Sequence, residues 1–298
     1  MNLDKRMKEA LENSKHLPLR DCDKYVIMSD CHRGDGGWSD NFSSNQHLYY
    51  FALTSYFEKG FSYIELGDGD ELWKNRSMCS ITLEHSHVFW LLGEFFKRDR
   101  LHFVFGNHDM VKKSPKWLNK NFFSCYDERS DKEIPLFPGA RVYESVVLNS
   151  HSGKITLVHG HQADFFNDRL WKLGRFLVRY LWKPLEVFGV NDPTGTAKNY
   201  KRRSKVGNKL SVWCEKRNSM LISGHTHRPV FPKPGEIMYF NDGSTVHPRC
   251  ITAMEIENDC VSLVKWSVLT HDDGTLAVIR DILAGPEKLE KYFANHKR

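Results

Sequence analysis

Five short apolar segments, each followed directly by a polar cluster, constrain the fold of this chain more than any other sequence feature. The apolar segments are 25–29, 61–66, 101–105, 154–158 and 219–223. Short apolar runs that contain β-branched residues are typical of buried strands. Helical patterns at 44–58 and 80–97 separate the first three runs, and strands that alternate with helices indicate a layered α/β core with parallel pairing.

The polar clusters stand at the ends of the five predicted strands. They are Asp30-Cys31-His32, Gly67-Asp68, Gly106-Asn107-His108-Asp109, His159-Gly160-His161 and Gly224-His225-Thr226-His227. Open α/β sheets bind ligands outside the carboxyl ends of their strands, so we expect the clusters to converge on one edge of the sheet. A single cluster of this kind also fits an ordinary turn, but the complete ordered set indicates a functional site.

The side chains in these clusters point to a metal site. Carboxylate oxygen and imidazole nitrogen are ligands that hard and borderline divalent cations accept. Alternate side chains of an extended strand share a face, so Asp30 and His32 would point together and Cys31 would point away. Cys31 is therefore excluded as a ligand.

The number of candidate ligands favours two metal ions over one, because it exceeds the roughly four to six positions of a single ion. A carboxylate must then bridge the ions, and Asp68 is the candidate because it follows the second strand directly. Ions about 3.5–4 Å apart clamp the attacking and leaving oxygens of a hydrolysis and activate water at neutral pH. Manganese, iron and zinc all suit mixed nitrogen and oxygen ligands, and we favour manganese.

Residues 162–217 interrupt the pattern, since they separate two cluster-bearing strands and are rich in Arg, Lys, Phe, Trp and Leu. This segment, called the insert below, is predicted to be a helical subdomain. Within 165–182 the apolar residues recur at helical spacing, and Arg175 and Arg179 flank them. We interpret the insert as a lid that offers apolar surface to an acyl or base group and positive charge to phosphates. A packed helix with a solvated basic face is the alternative.

Composition excludes several classes of protein. The chain has 298 residues, a formal net charge of +6 and 40% hydrophobic residues, which fits a globular protein and makes nucleic acid the less favoured partner. The polar N-terminus lacks the apolar core of a signal peptide, and no stretch approaches the roughly 18 apolar residues of a membrane span. The seven cysteines form no CxxC pair, so we expect a reduced, cytoplasmic location.

The order D-x-H, GD, GNHD, H and GHxH in these clusters resembles the calcineurin-like metallophosphoesterases over roughly residues 24–245. This resemblance implies a four-layer α/β/β/α sandwich with a dimetal site at its edge, which hydrolyses a phosphoester or pyrophosphate with metal-activated water. It also suggests three regions: an N-terminal helix and lead-in at 1–23, the phosphoesterase domain at 24–282 with the insert as a cap, and a helical tail at 283–298.

The resemblance further implies a role for each cluster residue. One metal would be held by Asp30, His32, Asp68 and His227, and the other by Asp68, Asn107, His159 and His225. His108 would contact the scissile phosphate and assist the leaving group, and Asp109 would orient His108 from behind. His161 competes with His159 as a ligand. We prefer His159 because it directly follows the strand, and we keep His161 as a nearby substrate-binding or supporting group.

Narrower motifs are similar to the UDP-2,3-diacylglucosamine hydrolases within that family. They are Gly67-Asp68-Gly69-Asp70-Glu71-Leu72-Trp73, which matches GDxxExW, and GHTHRP at 224–229. The chain departs from that branch in having His159-Gly160-His161 where HGD is common. The implied partner is a phosphate-containing small molecule or a lipid-linked nucleotide, with peripheral contact at the inner face of the membrane.

Two further functions remain open from the sequence. The first is a phosphodiesterase, nuclease or protein phosphatase on the same scaffold. The second is a non-catalytic metal-binding scaffold, against which the presence of His108 argues, because a scaffold has no need of a leaving-group histidine.

Overall fold

The computed structural model describes residues 2–127, 130–183 and 200–294. Its strands, numbered along the chain, are β1 Lys15–Leu19, β2 Tyr25–Met28, β3 Ser62–Leu66, β4 Leu101–Val104, β5 Ser124–Asp127, β6 Lys132–Pro135, β7 Val142–Tyr143, β8 Ser145–Ser150, β9 Lys154–Val158, β10 Met220–Ser223, β11 Tyr239–Asn241, β12 Cys250–Glu257, β13 Cys260–Thr270 and β14 Leu276–Lys288. The α-helices are α1 Leu3–Glu12, α2 Gln46–Glu58, α3 Met78–Glu84, α4 Ser86–Lys97, α5 Pro115–Asn121, α6 Phe165–Arg169, α7 Trp171–Leu177, α8 Tyr200–Arg217 and α9 Leu289–Ala294. Shorter helical turns occupy Met110–Lys113, His161–Ala163 and Val178–Trp182.

Two stacked sheets form the centre of the described chain. The seven-stranded sheet has the order β14-β13-β12-β2-β3-β4-β7, and the five-stranded sheet has the order β1-β8-β9-β10-β11. Strands β2, β3, β4 and β7 pair in parallel, as do β9, β10 and β11. The predicted parallel pairing is therefore confirmed, but the five cluster-bearing strands divide between two sheets. The single sheet edge inferred from the strand pattern was wrong, because that pattern cannot show where one sheet ends and the next begins.

Three hydrophobic clusters separate the layers. Apolar side chains of both sheets, among them Ile64 and Leu157, fill the space between them. Helices α2 and α4 pack on the outer face of the larger sheet, while α1 and α8 pack on the outer face of the smaller one. This arrangement is the four-layer α/β/β/α sandwich implied by the resemblance.

The helices bury the faces that their sequences predict. Helix α4 places Val88, Leu92 and Phe95 in the core at helical spacing. Helix α3 begins at a capping residue, since the Ser77 hydroxyl accepts a hydrogen bond from the backbone N–H of Ser80. These helices stabilise the strands whose ends carry the polar clusters.

The C-terminal tail differs from the predicted helix at 283–298. Strand β14 continues to Lys288 because it pairs with β13 as far as Cys260, and only Leu289–Ala294 is helical. Sequence periodicity misses this continuation because ladder pairing to β13 outweighs the local helical pattern. Residues 295–298 of the predicted tail, residues 184–199 of the insert and residue 1 lie outside the described residues.

One pair of cysteines departs from the expectation of reduced thiols. Cys79 of α3 and Cys125 of β5 form a disulfide with Cα atoms 5.2 Å apart. Tertiary packing of α3 on β5 brings them together, which a separation of 46 residues does not reveal.

Among the helices of the described ranges, none has the length and apolar character needed to cross a membrane.

Candidate metal centre

The loops after β2, β3, β4, β9 and β10 meet at one edge of the two-sheet sandwich. His227 Nε2 lies 3.0 Å from Asp30 Oδ1, and His159 Nε2 lies 3.1 Å from Asp68 Oδ2. His32 Nε2 is 3.6 Å from Asp30 Oδ1 and 3.9 Å from Asp68 Oδ2. Clusters that are far apart in sequence therefore form one compact polar site.

Two sets of proposed ligands have the spacing of metal ligands, and a third set with this spacing, His32, Glu71 and His108, shares His32 with the first. In the first set, Asp30, His32 and His227 each offer an atom within 4.8 Å of the others. In the second set, the same holds for Asp68, His159 and His225. The first set contains proposed ligands of one metal ion, and the second set contains proposed ligands of the other.

An unusual backbone conformation aims these side chains into the site. The φ angles of Asp30, His32, Asp68, His225 and His227 are 53°, 50°, 52°, 65° and 53°. Positive φ is uncommon outside glycine and clusters at functional sites. The extended strand assumed for Asp30 and His32 is therefore not present. Cys31 nevertheless points into the core, where it is fully buried.

Close approach of two loops requires a glycine beside Asp68. A Cβ atom at Gly106 would lie 2.1 Å from Asp68 Oδ1, closer than any side chain allows. The backbone N–H of His108 donates to the same oxygen at 2.8 Å. The glycine of GNHD thus brings Asn107 and His108 next to the proposed bridging carboxylate.

The donor atoms of the site fit divalent cations. Among the described residues, Asp30 Oδ1, both amide atoms of Asn107, His159 Nε2 and His225 Nε2 are buried and make no hydrogen bond of acceptable geometry, although His227 Nε2 lies close to Asp30 Oδ1 and Asp68 Oδ2 lies close to His159 Nε2. Burial of unpaired polar atoms is costly and rare in native proteins. Because these atoms are oxygen and nitrogen donors that converge on one place, coordination of metal ions accounts for them.

The charges of the site favour a cation as well. Burial raises the pKa of Asp68, but His159 and His108 outweigh it and hold the Asp68 pKa well below its usual range. Burial also lowers the pKa of His159, and the carboxylates of Asp68 and Asp30 reverse this and raise it to about 9. The carboxylates are consequently ionised at neutral pH, as ligands must be, whereas His159 has to lose its proton when a metal ion binds.

Glu71 contacts one histidine of the first cluster, His32, and one of the third cluster, His108. Its Oε1 lies 2.8 Å from His108 Nδ1, and its Oε2 lies 3.2 Å from His32 Nδ1. The indole ring of Trp73 stacks on His108 with ring centres 4.2 Å apart. The His108 side chain keeps 19% of its surface exposed. Glu71 and Trp73 therefore hold His108 in place while part of its ring remains accessible.

The role assigned to Asp109 was wrong. Its Oδ1 accepts from the backbone N–H of Gly106 at 2.7 Å, and its Oδ2 accepts from Lys112 Nζ at 2.8 Å. Asp109 therefore stabilises the turn that carries Asn107, while Glu71 orients His108. Sequence reasoning missed Glu71 although it is the glutamate of the GDxxExW motif. It assigned the orienting role to Asp109 because Asp109 is next to His108 in the sequence.

A buried ion-pair network supports the loops from behind. Arg33 pairs with Glu65 at 2.7 Å and with Asp70 at 2.8 Å. Lys112 Nζ lies 2.6 Å from Asp70 and 2.8 Å from Asp109. These ion pairs connect the first three polar clusters. They also neutralise the buried guanidinium of Arg33, which directly follows His32.

Two further groups support the site from behind: Ser29, which follows β2 of the larger sheet, and Asp242, which follows β11 of the smaller sheet. The Ser29 hydroxyl lies 2.6 Å from Asp30 Oδ2 and 2.8 Å from Asp242 Oδ1. Burial raises the pKa of Asp242 well above its usual value, and Asp30 adds to this. The Ser29 hydroxyl thus connects the carboxyl groups of Asp30 and Asp242.

The geometry favours His159 over His161 as the ligand. His161 is completely buried, and its Nε2 lies 3.8 Å from Asp168 Oδ1, away from the two ligand sets. A substrate-binding role for His161 is wrong for this conformation, because its side chain has no exposed surface. It packs behind His159, with ring centres 5.5 Å apart.

The two predicted substrate arginines of the insert differ. Arg179 donates to the backbone carbonyl oxygens of Leu72, Trp73 and Asn75 at 2.6, 2.9 and 3.1 Å. The Nε and Nη2 donors of Arg179 are therefore used within the protein, and a substrate contact through its Nη1 stays a prediction. Arg175 lies over the ring of Trp171 at 5.0 Å, and its contact with substrate stays a prediction.

Comparison with known protein families agrees with this architecture. A family model described as calcineurin-like phosphoesterase matches residues 24–229. No curated protein sequence shows significant similarity to the chain. Among solved structures, the crystal structure of Chaetomium thermophilum Vps29 is 11% identical with a TM-score of 0.39, and the alignment covers 89% of this chain and 97% of that one.

Proposed function

The chain belongs to the calcineurin-like phosphoesterase family, and from that premise we propose that it is a dimetal hydrolase of a phosphoester or pyrophosphate bond in an amphiphilic, nucleotide-bearing substrate. The observation that supports this most is the set of buried, unpartnered donor atoms contributed by Asp30, Asn107, His159 and His225. These donors support metal binding, and the presence of His108, which a metal-binding scaffold does not need, supports catalysis.

The bound metal ions, His108 and Glu71 would have different roles in hydrolysis. Bound metal ions would supply Lewis-acid polarisation of the phosphate and a water activated for attack. His108 is placed to contact the phosphate and to give a proton to the leaving oxygen, because it lies beside Asp68 and keeps part of its side chain exposed. Glu71 fixes the ring orientation of His108 through Nδ1, which leaves Nε2 available for the substrate.

The substrate class follows from the surface of the insert. Six large apolar side chains of α6, α7 and the turn after α7 are exposed between 45% and 61%: Phe165, Phe166, Leu173, Phe176, Tyr180 and Leu181. Exposed apolar patches of this kind mark binding surfaces. Together with the basic Arg175, this surface suits a lipid-linked nucleotide better than a small soluble phosphate.

A membrane location is part of the same proposal. A lipid-linked substrate would bring the apolar surface of the insert against the inner face of the membrane from the cytoplasm. Amphipathic helices with basic flanks bind anionic lipid surfaces in this way. Co-sedimentation with anionic vesicles tests this: Phe166→Ser with Phe176→Ser should weaken binding, and equal sedimentation of wild type and variant would contradict it.

Replacement of Arg175 should separate substrate binding from chemistry. We expect Arg175→Ala to raise KM for a nucleotide-linked glycolipid about threefold to tenfold, since an exposed charged contact contributes roughly 1 kcal/mol. Hydrolysis of a small aryl phosphate should hardly change, because the metal ligands and His108 are untouched. Steady-state kinetics on both substrates measure this, and parallel losses would mean that Arg175 acts through stability.

The proposed function is tested by metal analysis combined with turnover. We expect the purified protein to contain Mn, Fe or Zn and to hydrolyse a generic aryl phosphate ester. A panel of mononucleotides, cyclic nucleotides, UDP-sugars, nucleic acids and phosphoproteins then identifies the substrate class. Bound metal with no turnover on any member of the panel would reject catalysis and favour a scaffold.

A further inference from the structure

The turn formed by residues 72–75 lies between the insert and His108. At its amino end, the Oε1 atom of Glu71 accepts hydrogen bonds from the backbone N–H groups of Trp73 and Lys74 at 3.2 and 3.3 Å. The same oxygen lies 2.8 Å from His108 Nδ1. The position of the carboxylate that orients His108 therefore depends on the position of this turn.

The carbonyl end of the turn is held by the insert. Arg179 donates to the carbonyl oxygens of Leu72, Trp73 and Asn75. Lys183 Nζ adds a hydrogen bond of 3.0 Å to Asn75 Oδ1. A cation at the carbonyl end and a carboxylate at the N–H end both complement the dipole of a helical turn. The turn is thus fixed from both sides, once by Glu71 and once by the insert.

Trp73 provides a second connection between the insert and His108. One face of its ring stacks on His108, and α7 passes over it at Gly174. A Cβ atom at Gly174 would lie 3.1 Å from the Trp73 ring, which is tighter than ordinary packing. Only 3% of the Trp73 residue is exposed, so the buried indole contacts both α7 and His108.

We propose that Arg179 is a positioning residue, which holds His108 in its reactive orientation by fixing the 72–75 turn and the Trp73 ring against the insert. The catalytic part of this inference rests on the proposed phosphohydrolase function, whereas the structural part does not. The insert then contributes to the chemistry as well as to substrate binding. The insert thus stabilises the 72–75 turn, which supports His108. Arg179 and Leu72 are 107 residues apart in the sequence.

Hydrogen–deuterium exchange of Arg179→Met tests the structural part without any substrate. We expect amides within 70–77 to exchange about tenfold faster than in the wild type, because hydrogen bonds from a charged donor are lost. The matched control is Arg217→Met, since Arg217 lies on α8 of the same insert and pairs with Asp4 at 3.5 Å. The control should leave exchange in 70–77 unchanged.

Kinetics then test the catalytic part on the metal-loaded protein. Arg179→Met should lower kcat about tenfold with metal content and KM unchanged, because a positioned acid supplies about 10²–10⁴-fold and displacement loses part of it. The loss should be greatest for esters with poor leaving groups. Arg179→Lys keeps the charge with fewer donors in a different geometry, and it should lie between wild type and Arg179→Met in both exchange and rate.

Several results would overturn the inference. Unchanged exchange in 70–77 in Arg179→Met would show that the turn does not depend on Arg179. A loss of kcat that is equal for good and poor leaving groups would show that His108 is not the group affected. If Arg179→Met does not fold, wild-type exchange in Arg179→Lys would be equally decisive. Absence of turnover in the wild-type protein would instead reject the proposed function, and the exchange result would still decide the role of Arg179 in the turn.

Discussion

Asp68→Asn is expected to lose at least one metal ion and nearly all phosphohydrolase activity. Asp68 belongs to the second ligand set, 3.1 Å from His159, and also lies 3.9 Å from His32 of the first set. An amide at this position removes a negative charge that both cations would share. The loss in rate should exceed about 10²-fold, because even groups behind the ligands of metal sites cost about 10–100-fold when replaced.

Inductively coupled plasma analysis and aryl phosphate kinetics on the same preparation measure this expectation. Asp281→Asn is the matched control, since Asp281 is exposed and pairs with Lys265 at 3.2 Å, far from the cluster-bearing loops. The control should keep its metals and its rate. Wild-type metal content and a near-normal rate in Asp68→Asn would refute a site with two metals and a bridging carboxylate.

Replacement of His108 should give a different result, with metals retained and rate lost. His108→Ala removes a side chain that contacts Glu71 and Trp73. His108 belongs neither to the set that contains Asp30 nor to the set that contains Asp68. General acid catalysis contributes about 10²–10⁴-fold, and we expect a loss of kcat in that range. Esters with poor leaving groups should suffer most, because they depend most on a proton from His108.

A series of aryl phosphates whose leaving groups differ in pKa measures this dependence. His151→Ala is the control, because the side chain of His151 is 60% exposed and lies outside the cluster-bearing loops. Equal losses along the series would leave His108 a binding role only. Loss of metal from His108→Ala would instead show that this histidine is a ligand.

The amino-acid sequence by itself determined the local structure and the chemistry. The five apolar segments became β2, β3, β4, β9 and β10 with ends displaced by at most one residue, because short β-branched runs bounded by glycine and polar residues have few alternatives. Asp30, His32, Asp68, His159, His225 and His227 converge because each directly follows such a strand. The chemistry of their side chains was sufficient to predict a divalent metal site.

Only the tertiary structure decided which groups support that site. The adjacent carboxylate in sequence, Asp109, turned inward to Lys112, whereas Glu71 reached His108 from the loop of another strand. Arg179 was predicted to bind phosphate because it is an arginine near the site, yet it binds the 72–75 turn. Sequence patterns show which residue types are present and in what order. Hydrogen bonds between distant segments depend on the direction of each side chain, and that direction is fixed only when the two sheets and the insert pack together.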